Sequence, residues 1–426
     1  MGKKKVIVIG CGGRGMGYST IMKESHSDYF EIVGIAEPVK SRREYTKNLF
    51  NTPDEMCFES WEPLLEKAKF ADVCLIATQD RDHYAPAMKA IEKGYNLLLE
   101  KPVAVTPEEC RDIQKAAEEK GVFVLVCHVL RFTRFFRTIK YVIDSGKIGK
   151  VKSIQHAECV GDLHYSHSYV RGNWQNSDDS SCMILAKSCH DADILAWLVG
   201  EKCTAVQSFG SLSYFKPENA PEGSPERCMD GGCPIADTCR YNAVKVYAES
   251  EGNWWHNWFT TAATKEVNPT KEQIWNTLKT TDYGKCVFKC NNNVVDHQVV
   301  NMRFGDDIYA DFNMTAFNSG GRFIRIMGTK GEIEARMDST KVVVFNFETG
   351  QYIDYGKVEN VDQTVVGGHG GGDDGIITSL RNYLDGNPDN SICSIKESCD
   401  NHMICFAAEE SRLNNGKTIY MDKYYK

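Results

Sequence analysis

The chain has no surplus of basic residues and no long apolar run. Its 426 residues include 50 lysines and arginines against 58 aspartates and glutamates, a formal net charge of -8. This balance argues against nucleic acid or an anionic membrane as the main partner. The opening residues, MGKKKVIVIG, place charge before an apolar stretch that is too short for a signal-peptide core or a membrane span. We therefore predict a cytoplasmic protein that binds neither membrane nor nucleic acid.

The length and composition are those of a globular protein with more than one domain. Hydrophobic residues make up 42% and charged residues 25% of the chain, which is ordinary for globular proteins. A chain of 426 residues exceeds the size of one ordinary domain. The seventeen cysteines are an odd and high number. In a reducing compartment they act as buried hydrophobes, catalysts or metal ligands rather than disulfides.

A glycine-rich turn lies between the first strand and the first helix. The apolar strand pattern of residues 6–9 stops at a G-x-G-x-x-G motif, whose predicted cofactor contacts are Gly10, Gly12, Gly13, Arg14 and Gly15. The first glycine permits a tight turn, the second leaves room for a pyrophosphate, and the third lets the helix pack close to the strand. The N-terminus of that helix offers free N–H groups to phosphates. This motif predicts a dinucleotide site.

An acidic residue follows the second strand, as a dinucleotide site requires. Residues 30–36 have strand character, and Glu37 comes next. Its carboxylate can accept hydrogen bonds from both hydroxyls of an adenosine ribose, and it would repel a 2′-phosphate. We therefore predict NAD rather than NADP. Arg42 and Arg43 could contact such a phosphate, although their pattern is typical of a solvated helix face.

Strands and helices alternate as far as residue 128. Further strands are predicted at residues 71–77, 96–99 and 122–126. Loops after such strands face the cofactor, and they contain Thr78, His83, Glu100 and Lys101. Strands joined by helices imply a parallel sheet with right-handed crossovers. We predict a Rossmann dinucleotide-binding domain over residues 1–128.

The remainder of the chain, residues 129–426, predicts a second domain of α+β type. Apolar and polar residues alternate in six segments, residues 151–160, 294–304, 308–316, 323–328, 331–336 and 341–346. Such alternation is typical of half-buried strands. Helices are predicted at residues 182–198, 376–384 and 396–414. The fold class is therefore α/β, with a mainly antiparallel sheet in the second domain.

Four motifs occur in the order found in one oxidoreductase family. They are the fingerprint at residues 10–15, Ala36-Glu37-Pro38, the loop from Ala77-Thr78 to His83, and Glu100-Lys101-Pro102. With these motifs the chain resembles the Gfo/Idh/MocA family of sugar and cyclitol oxidoreductases. The resemblance implies a Rossmann domain followed by an open-faced sheet domain that often self-associates through that sheet, so a homo-oligomer is expected. It also implies that Lys101 lies beside the nicotinamide and the reacting carbinol.

The chain departs from that family where the family usually has an aspartate. Ala186 stands four residues before His190, and Lys187 lies beside it. We predict Lys101, His190 and Lys187 as catalytic residues, with His190 as proton acceptor because an unperturbed imidazole titrates near neutrality. Lys187 is alternatively a solvent-exposed lysine. Asp193, one turn further on, is predicted to orient His190 or to bind the substrate.

Two loops are predicted to line the substrate site. The first contributes His164, Tyr169, Arg171 and Trp174. Aromatic faces stack on the C–H surfaces of sugars, and polar tips bond to hydroxyls. The second contributes His369, among glycines that let backbone approach a ligand. Each is alternatively a surface loop. The tryptophan-rich residues 253–258 are predicted as a lid or a subunit contact.

One group of cysteines has the arrangement of a metal site. Cys228, Cys233 and Cys239 share a loop rich in Gly, Pro and Asp, and Cys286 and Cys290 are predicted on one face of a later strand. Three thiols from a loop and one from a strand can hold zinc tetrahedrally. We predict a structural zinc site formed by Cys228, Cys233, Cys239 and Cys290, with buried thiols as the alternative.

The residues and the resemblance together lead to three functional hypotheses. The first is an NAD-dependent oxidoreductase that transfers a hydride between the nicotinamide and a secondary hydroxyl of a sugar, glycoside or cyclitol. The second is a glycosidase that oxidises its substrate transiently, with no net redox change. The third is a non-catalytic protein that senses sugar or NAD, against which Lys101 and His190 argue.

Overall fold

Two β-sheets organise the chain. The structure, a computed structural model, describes residues 2–339, 341–357 and 368–425. One sheet has six strands from the first part of the chain, and the other has nine strands from the second part. The prediction of an α/β protein with a Rossmann sheet and a second, mainly antiparallel sheet is confirmed. The predicted domain division at residue 128 stays a prediction.

The first sheet is parallel throughout. Its order is β3-β2-β1-β4-β5-β6, with β1 and β4 as neighbours at the point where the order reverses. The loops that follow these two strands form the crevice where such folds bind their ligands. The strands are β1 (Lys4–Ile9), β2 (Phe30–Ala36), β3 (Cys57–Phe58), β4 (Val73–Ile76), β5 (Asn96–Leu99) and β6 (Val124–Val126).

Five helices connect the strands of the first sheet. They are α1 (Gly13–Ser25), α2 (Lys40–Phe50), α3 (Trp61–Glu66), α4 (Tyr84–Glu92) and α5 (Pro107–Lys120). Thr106 caps α5, because its hydroxyl oxygen accepts a hydrogen bond from the N–H of Glu109. Every residue of β4 is buried, as expected for a strand with helices on both faces.

The second sheet has one buried face and one exposed face. Its order is β14-β13-β12-β11-β7-β10-β9-β8-β15, and β7 and β10 are its parallel pair. In β10, Ala310 and Phe312 are buried whereas Tyr309 and Asp311 are exposed. The strands are β7 (Val151–Cys159), β8 (Cys203–Ser211), β9 (His297–Phe304), β10 (Ile308–Thr315), β11 (Gly321–Gly328), β12 (Gly331–Arg336), β13 (Lys341–Asn346), β14 (Gln351–Asp354) and β15 (Ile419–Tyr420).

The helices of the second part cover the inner face of this sheet and reach back to the first. Helix α12 packs against α1, and α13 packs against both α5 and α9. These contacts tie the end of the chain to the Rossmann sheet. The helices are α6 (Arg134–Asp144), α7 (Asp162–Tyr165), α8 (Met183–Ala186), α9 (Cys189–Val199), α10 (His256–Thr264), α11 (Lys271–Thr280), α12 (Gly372–Leu384) and α13 (Ile395–Leu413).

Two local predictions are wrong. The helix expected over residues 182–198 is two helices, because the chain leaves α8 after Ala186 and enters α9 at Cys189. Cys286 and Cys290 lie in a turn rather than on a strand. The segment between β8 and β9 instead forms α10, α11 and a small core of its own around Tyr247, Phe259 and Leu278. This segment is called the insert below.

Candidate active site

The glycine-rich turn after β1 requires glycine at two positions. Gly10 has φ +88°, and a Cβ there would lie 2.5 Å from the carbonyl oxygen of Ala77. A Cβ on Gly15 would overlap the carbonyl oxygen of Gly10. Gly12 caps α1 without a side-chain hydrogen bond, and a Cβ on Gly13 would meet open space. The turn therefore presents free N–H groups in an open cradle, which fits the pyrophosphate of a dinucleotide.

Glu37 is fixed at the end of β2. Its carboxylate accepts hydrogen bonds from the N–H groups of Cys11, at 2.7 Å, and Val39, at 2.9 Å. The side chain is only 3% exposed. Each carboxylate oxygen retains a second lone pair, which fits the hydroxyls of an adenosine ribose.

The two arginines after Glu37 are not a solvated helix face. Arg43 is buried, and its guanidinium donates to the carbonyl oxygen of Glu37 at 2.6 Å and to the carboxylate of Glu59 at 2.7 Å. Arg42 lies over the glycine turn, where its Nη1 atom is 3.7 Å from the place of a Cβ on Gly12. Arg42 therefore places a positive charge close to the glycine turn.

Two predicted cofactor contacts, His83 and Thr78, have side chains that hold the loops in place. His83 is 1% exposed, with Nδ1 2.6 Å from the carbonyl oxygen of Pro102 and Nε2 3.3 Å from that of Thr78. It therefore joins the loop after β4 to the loop after β5. The Thr78 hydroxyl donates to the carbonyl oxygen of Asp82 at 2.9 Å.

Arg14 and Glu100 form a charge pair behind the glycine turn. The guanidinium donates to Glu100 at 2.9 Å and to Asp373 of α12 at 2.7 Å, and the Tyr18 hydroxyl donates to Glu100 at 2.7 Å. Burial opposes ionisation of Glu100, yet Arg14 and Lys101 hold its pKa below the ordinary value. These side chains therefore stabilise the junction between α1, β5 and α12. Their contact with the cofactor stays a prediction.

Lys101 reaches across to the break between α8 and α9. Its ammonium donates to the carbonyl oxygen of Ala186 at 2.7 Å. Ala186 is the position at which the related family has an aspartate, so a backbone oxygen takes the place of a carboxylate beside this lysine. Residue 186 therefore gives the Lys101 ammonium a neutral hydrogen-bond acceptor instead of a carboxylate.

Lys187 lies in the break itself and is not a solvent-exposed lysine. Its side chain is 18% exposed, and its Nζ atom is 3.4 Å from Oε1 of Glu158 on β7. Burial lowers the pKa of Lys187, the Glu158 carboxylate opposes this, and Arg322 and Lys101 lower the pKa further. The ammonium form is therefore less favoured here than in water.

A buried chain of charges supports Glu158 from within the sheet domain. Arg322 contacts Glu158 and donates to Asp191 at 2.8 Å, and Nε2 of His156 lies 2.7 Å from Asp191. Although burial opposes ionisation, Arg322 and His156 hold the pKa of Asp191 well below its usual range. The sequence analysis missed this chain. A signal was present, because Glu158 occupies an inward-facing position of the alternating strand β7.

His190 lies in the first turn of α9 and is 8% exposed. Asp193 does not orient it. Asp193 is 1% exposed and accepts two hydrogen bonds from Arg131, both at 2.7 Å, and one from Asn401 at 2.8 Å. This corrects the prediction that Asp193 orients His190 or binds the substrate. The buried carboxylate is paired because an unpaired one is costly.

Three residues of the predicted substrate loop come together beside Lys187. The ring centre of Tyr169 is 6.1 Å from those of both His164 and Trp174. The indole N–H of Trp174 donates to Asp80 at 3.0 Å, which joins this loop to the Rossmann sheet. Burial and the nearby Lys187 lower the pKa of His164 well below its ordinary value, so its ring is uncharged near neutral pH.

Arg171, from the same predicted loop, does not join this group. Arg171 is 2% exposed, and its guanidinium donates to the carbonyl oxygens of Lys285 at 2.9 Å and Tyr241 at 2.7 Å. It holds the insert in place, which corrects its prediction as a substrate contact. The side chain of His369 lies outside the described residues.

The geometry of the cysteine loop does not support the predicted zinc site. Cys228, Cys233, Cys239 and Cys286 line one cavity, and Cys290 is not part of the lining. Within the described part of the chain, no three of these sulfur atoms lie within 4.8 Å of one another. Tetrahedral zinc bonded to sulfur at about 2.3 Å needs them about 3.8 Å apart. The zinc prediction is therefore not supported.

The parallel sheet, the open glycine turn and Glu37 together form a dinucleotide-binding fold. Residues 4–128 match the oxidoreductase family with an NAD-binding Rossmann fold, Gfo/Idh/MocA, and residues 140–386 match the C-terminal α/β domain of the same family. The chain belongs to the Gfo/Idh/MocA family of NAD-binding oxidoreductases. In the described part of the chain, no helix has the length and apolar character needed to cross a membrane.

Relatives of known name include dehydrogenases of cyclitols and sugars. The chain is 25% identical to YteT of Bacillus subtilis (strain 168), an oxidoreductase by name, over 393 residues that span 88% of each protein. It is 30% identical to the scyllo-inositol 2-dehydrogenase (NADP(+)) IolW of that strain over 155 residues, 36% of this chain and 42% of that enzyme. The fold matches levoglucosan dehydrogenase in complex with NADH and levoglucosan, with TM-score 0.70, 17% identity and coverage of 99% of this chain and 100% of that one.

Proposed function

We propose that the protein is an NAD-dependent dehydrogenase that acts on a secondary hydroxyl of a sugar, glycoside or cyclitol. The observation that carries the proposal is the group formed by Lys101, Lys187 and the uncharged His164 at the edge of the Rossmann sheet. The Lys101 ammonium suits a reaction that develops negative charge on oxygen, and Lys187 can share that task when it is protonated or accept a proton when it is neutral. The names of the inositol and levoglucosan dehydrogenases among the related proteins support the substrate class.

In this proposal each residue of the site has a separate role in oxidation of the carbinol. NAD, when bound, supplies the hydride acceptor. Lys101 donates a hydrogen bond to the hydroxyl oxygen and stabilises the charge that develops there. His190 receives the hydroxyl proton, and Lys187, whose pKa is lowered by burial, is the second group able to accept it. His164, Tyr169 and Trp174 surround the sugar ring.

The test is to add candidate sugars, glycosides and cyclitols to the protein with NAD and to follow both NADH and the products. Accumulation of NADH with formation of a keto product is expected. Cleavage of a glycoside without accumulation of NADH would instead establish the glycosidase with transient oxidation. Binding without either reaction would establish a sensor.

Replacing Glu37 with alanine is expected to narrow the preference for NAD over NADP. The carboxylate would repel a 2′-phosphate, and without it Arg42, which lies over the glycine turn, can pair with that phosphate. The dissociation constants of both cofactors are measured by fluorescence titration. Glu59→Ala is the control, since Glu59 pairs with Arg43 rather than facing the turn. Equal affinity of the native protein for NAD and NADP would contradict the assignment.

We propose that a second copy of the chain covers the exposed face of the nine-stranded sheet. Three exposed apolar side chains lie on neighbouring strands of that sheet, Phe209, Val299 and Tyr309, and Phe209 is paired directly with Val299. A charge placed there should separate the copies, because it would be buried without a partner. We expect Val299→Glu to lower the mass measured by light scattering, and the equally exposed Tyr45→Glu on α2 to leave it unchanged. A native protein that is monomeric would refute this proposal.

We also propose that the protein works in the cytoplasm. All 17 cysteines are free thiols in the structure. Free thiols in this number are typical of a reducing compartment.

A further inference from the structure

Two tryptophans next to the candidate active site project into solvent. Trp254 is 80% exposed and Trp258 is 43% exposed, whereas Phe259 is 1% exposed. Phe259 stacks on His167, with ring centres 4.0 Å apart and planes at 5°, and this contact fixes α10. Trp258 is therefore held by a fixed helix, and Trp254 lies in the turn directly before that helix. Large exposed apolar surfaces of this kind mark binding sites.

These tryptophans continue a line of rings that starts inside the site. The ring centres of Tyr169 and His164 are 6.1 Å apart, those of His164 and Trp258 are 4.8 Å apart, and those of Trp258 and Trp254 are 6.3 Å apart. The last two rings are within 22° of parallel. We call these four side chains the aromatic row. It leads from the neighbourhood of Lys187 to the surface of the insert.

We propose that the outer half of the aromatic row, Trp258 and Trp254, binds a second sugar ring of the substrate. This rests on the proposed function and narrows it: the substrate is a disaccharide or longer glycoside whose terminal ring is oxidised. The flat apolar face of an indole matches the C–H face of a pyranose. The inner and outer halves meet at His164, which is uncharged near neutral pH and so suits a neutral sugar.

The insert also places the outer half of the aromatic row close to the glycine turn. Arg42, which lies over the glycine turn, donates to the carbonyl oxygen of Thr261 on α10 at 3.4 Å. Helix α10 therefore lies between the glycine turn and the mouth of the candidate active site. A glycoside that extends out of the site along this helix would meet Trp258 on its exposed side and Trp254 in the turn before it.

The test compares one-ring and two-ring substrates with Trp254→Ala. The probes are methyl β-D-glucopyranoside with cellobiose, and methyl β-D-galactopyranoside with β-1,4-galactobiose, each added to the protein with NAD. We expect kcat/KM for the active disaccharide to fall roughly three- to tenfold in Trp254→Ala, as expected of one lost stacking contact, and that for its methyl glycoside to stay unchanged. Trp275→Ala is the control, because Trp275 is 37% exposed on α11 of the same insert and outside the aromatic row.

Three outcomes would overturn the inference. They are equal losses for both substrates, no loss for either, and a change in oligomeric state of Trp254→Ala, which would assign the outer half of the aromatic row to a second copy of the chain. Failure of the proposed function is seen separately, as the absence of NADH with every probe and the native protein. In that case the inference is tested by calorimetric titration of the NAD-loaded protein with each disaccharide and its methyl glycoside. Tighter binding of a disaccharide than of its methyl glycoside, with this difference lost in Trp254→Ala, supports the inference. Equal binding of the two overturns it.

Discussion

Replacing Lys101 with alanine is expected to lower turnover by roughly two to four powers of ten and to leave NAD binding unchanged. The ammonium lies 2.7 Å from the carbonyl oxygen of Ala186, in the break between α8 and α9. It is the group proposed to stabilise the developing alkoxide. The fold should tolerate the change, because Glu100 keeps Arg14 as its counter-ion. The measurements are kcat, KM and the dissociation constant of NAD.

The control for this variant is Lys115→Ala. Lys115 lies on α5 and its side chain is 75% exposed, so its loss removes a charge without touching the site. A Lys101→Ala protein with near-native turnover of a verified substrate would show that this lysine does not act on the carbinol. Weak NAD binding in that variant would instead show that Lys101 acts through the cofactor.

Replacing His190 with alanine is expected to lower turnover by roughly two to four powers of ten and to change the pH profile. Only a neutral imidazole can accept the hydroxyl proton, so the rate of the native protein should rise with pH as the ring loses its proton. The His190→Ala protein should lack this rise in rate near neutral pH, which is called the rising limb of the profile. The profile of kcat/KM against pH measures the effect. His297→Ala is the control, since that side chain is 46% exposed and lies outside the site.

The variant Lys187→Ala separates the two candidate proton acceptors. Burial lowers the pKa of Lys187, so a role as acceptor gives a rate that rises with pH through a value below that of an ordinary lysine. If Lys187 is the acceptor, its loss removes this limb while His190→Ala retains it. If His190 is the acceptor, the reverse holds, and Lys187→Ala retains the limb near neutral pH. A native pH profile in both variants would exclude both residues.

The cofactor half of the site could be read from the sequence because its determinants are local. The turn at Gly10 needs a positive φ, and Gly15 must meet the backbone of Gly10 without a Cβ. Glu37 follows β2 directly, and Lys101 is the second residue after the end of the apolar strand β5. Periodicity and steric demands of this kind act over a few residues.

The surroundings of the predicted substrate residues followed from the sequence only in part. His164, Tyr169 and Trp174 do lie together, whereas Arg171 and Asp193 lie in other surroundings. The residue types alone could not distinguish the three rings that lie together from Arg171 and Asp193, which have internal partners. An arginine or aspartate in a loop or helix has the same sequence pattern whether it meets a substrate or an internal partner.

The sequence by itself determined the two-sheet architecture, the dinucleotide cradle and the place of Lys101, because each depends on neighbours in the chain. The tertiary structure decided which charged side chains are paired with one another inside the protein. Asp193 is neutralised by Arg131, 62 residues away, and Asp191 by Arg322, 131 residues away. The same folding brought Glu158 of β7 to Lys187 and Trp258 of the insert to His164. A buried charge must find an opposite charge wherever the fold supplies one, so these pairings follow from packing between distant elements rather than from local pattern.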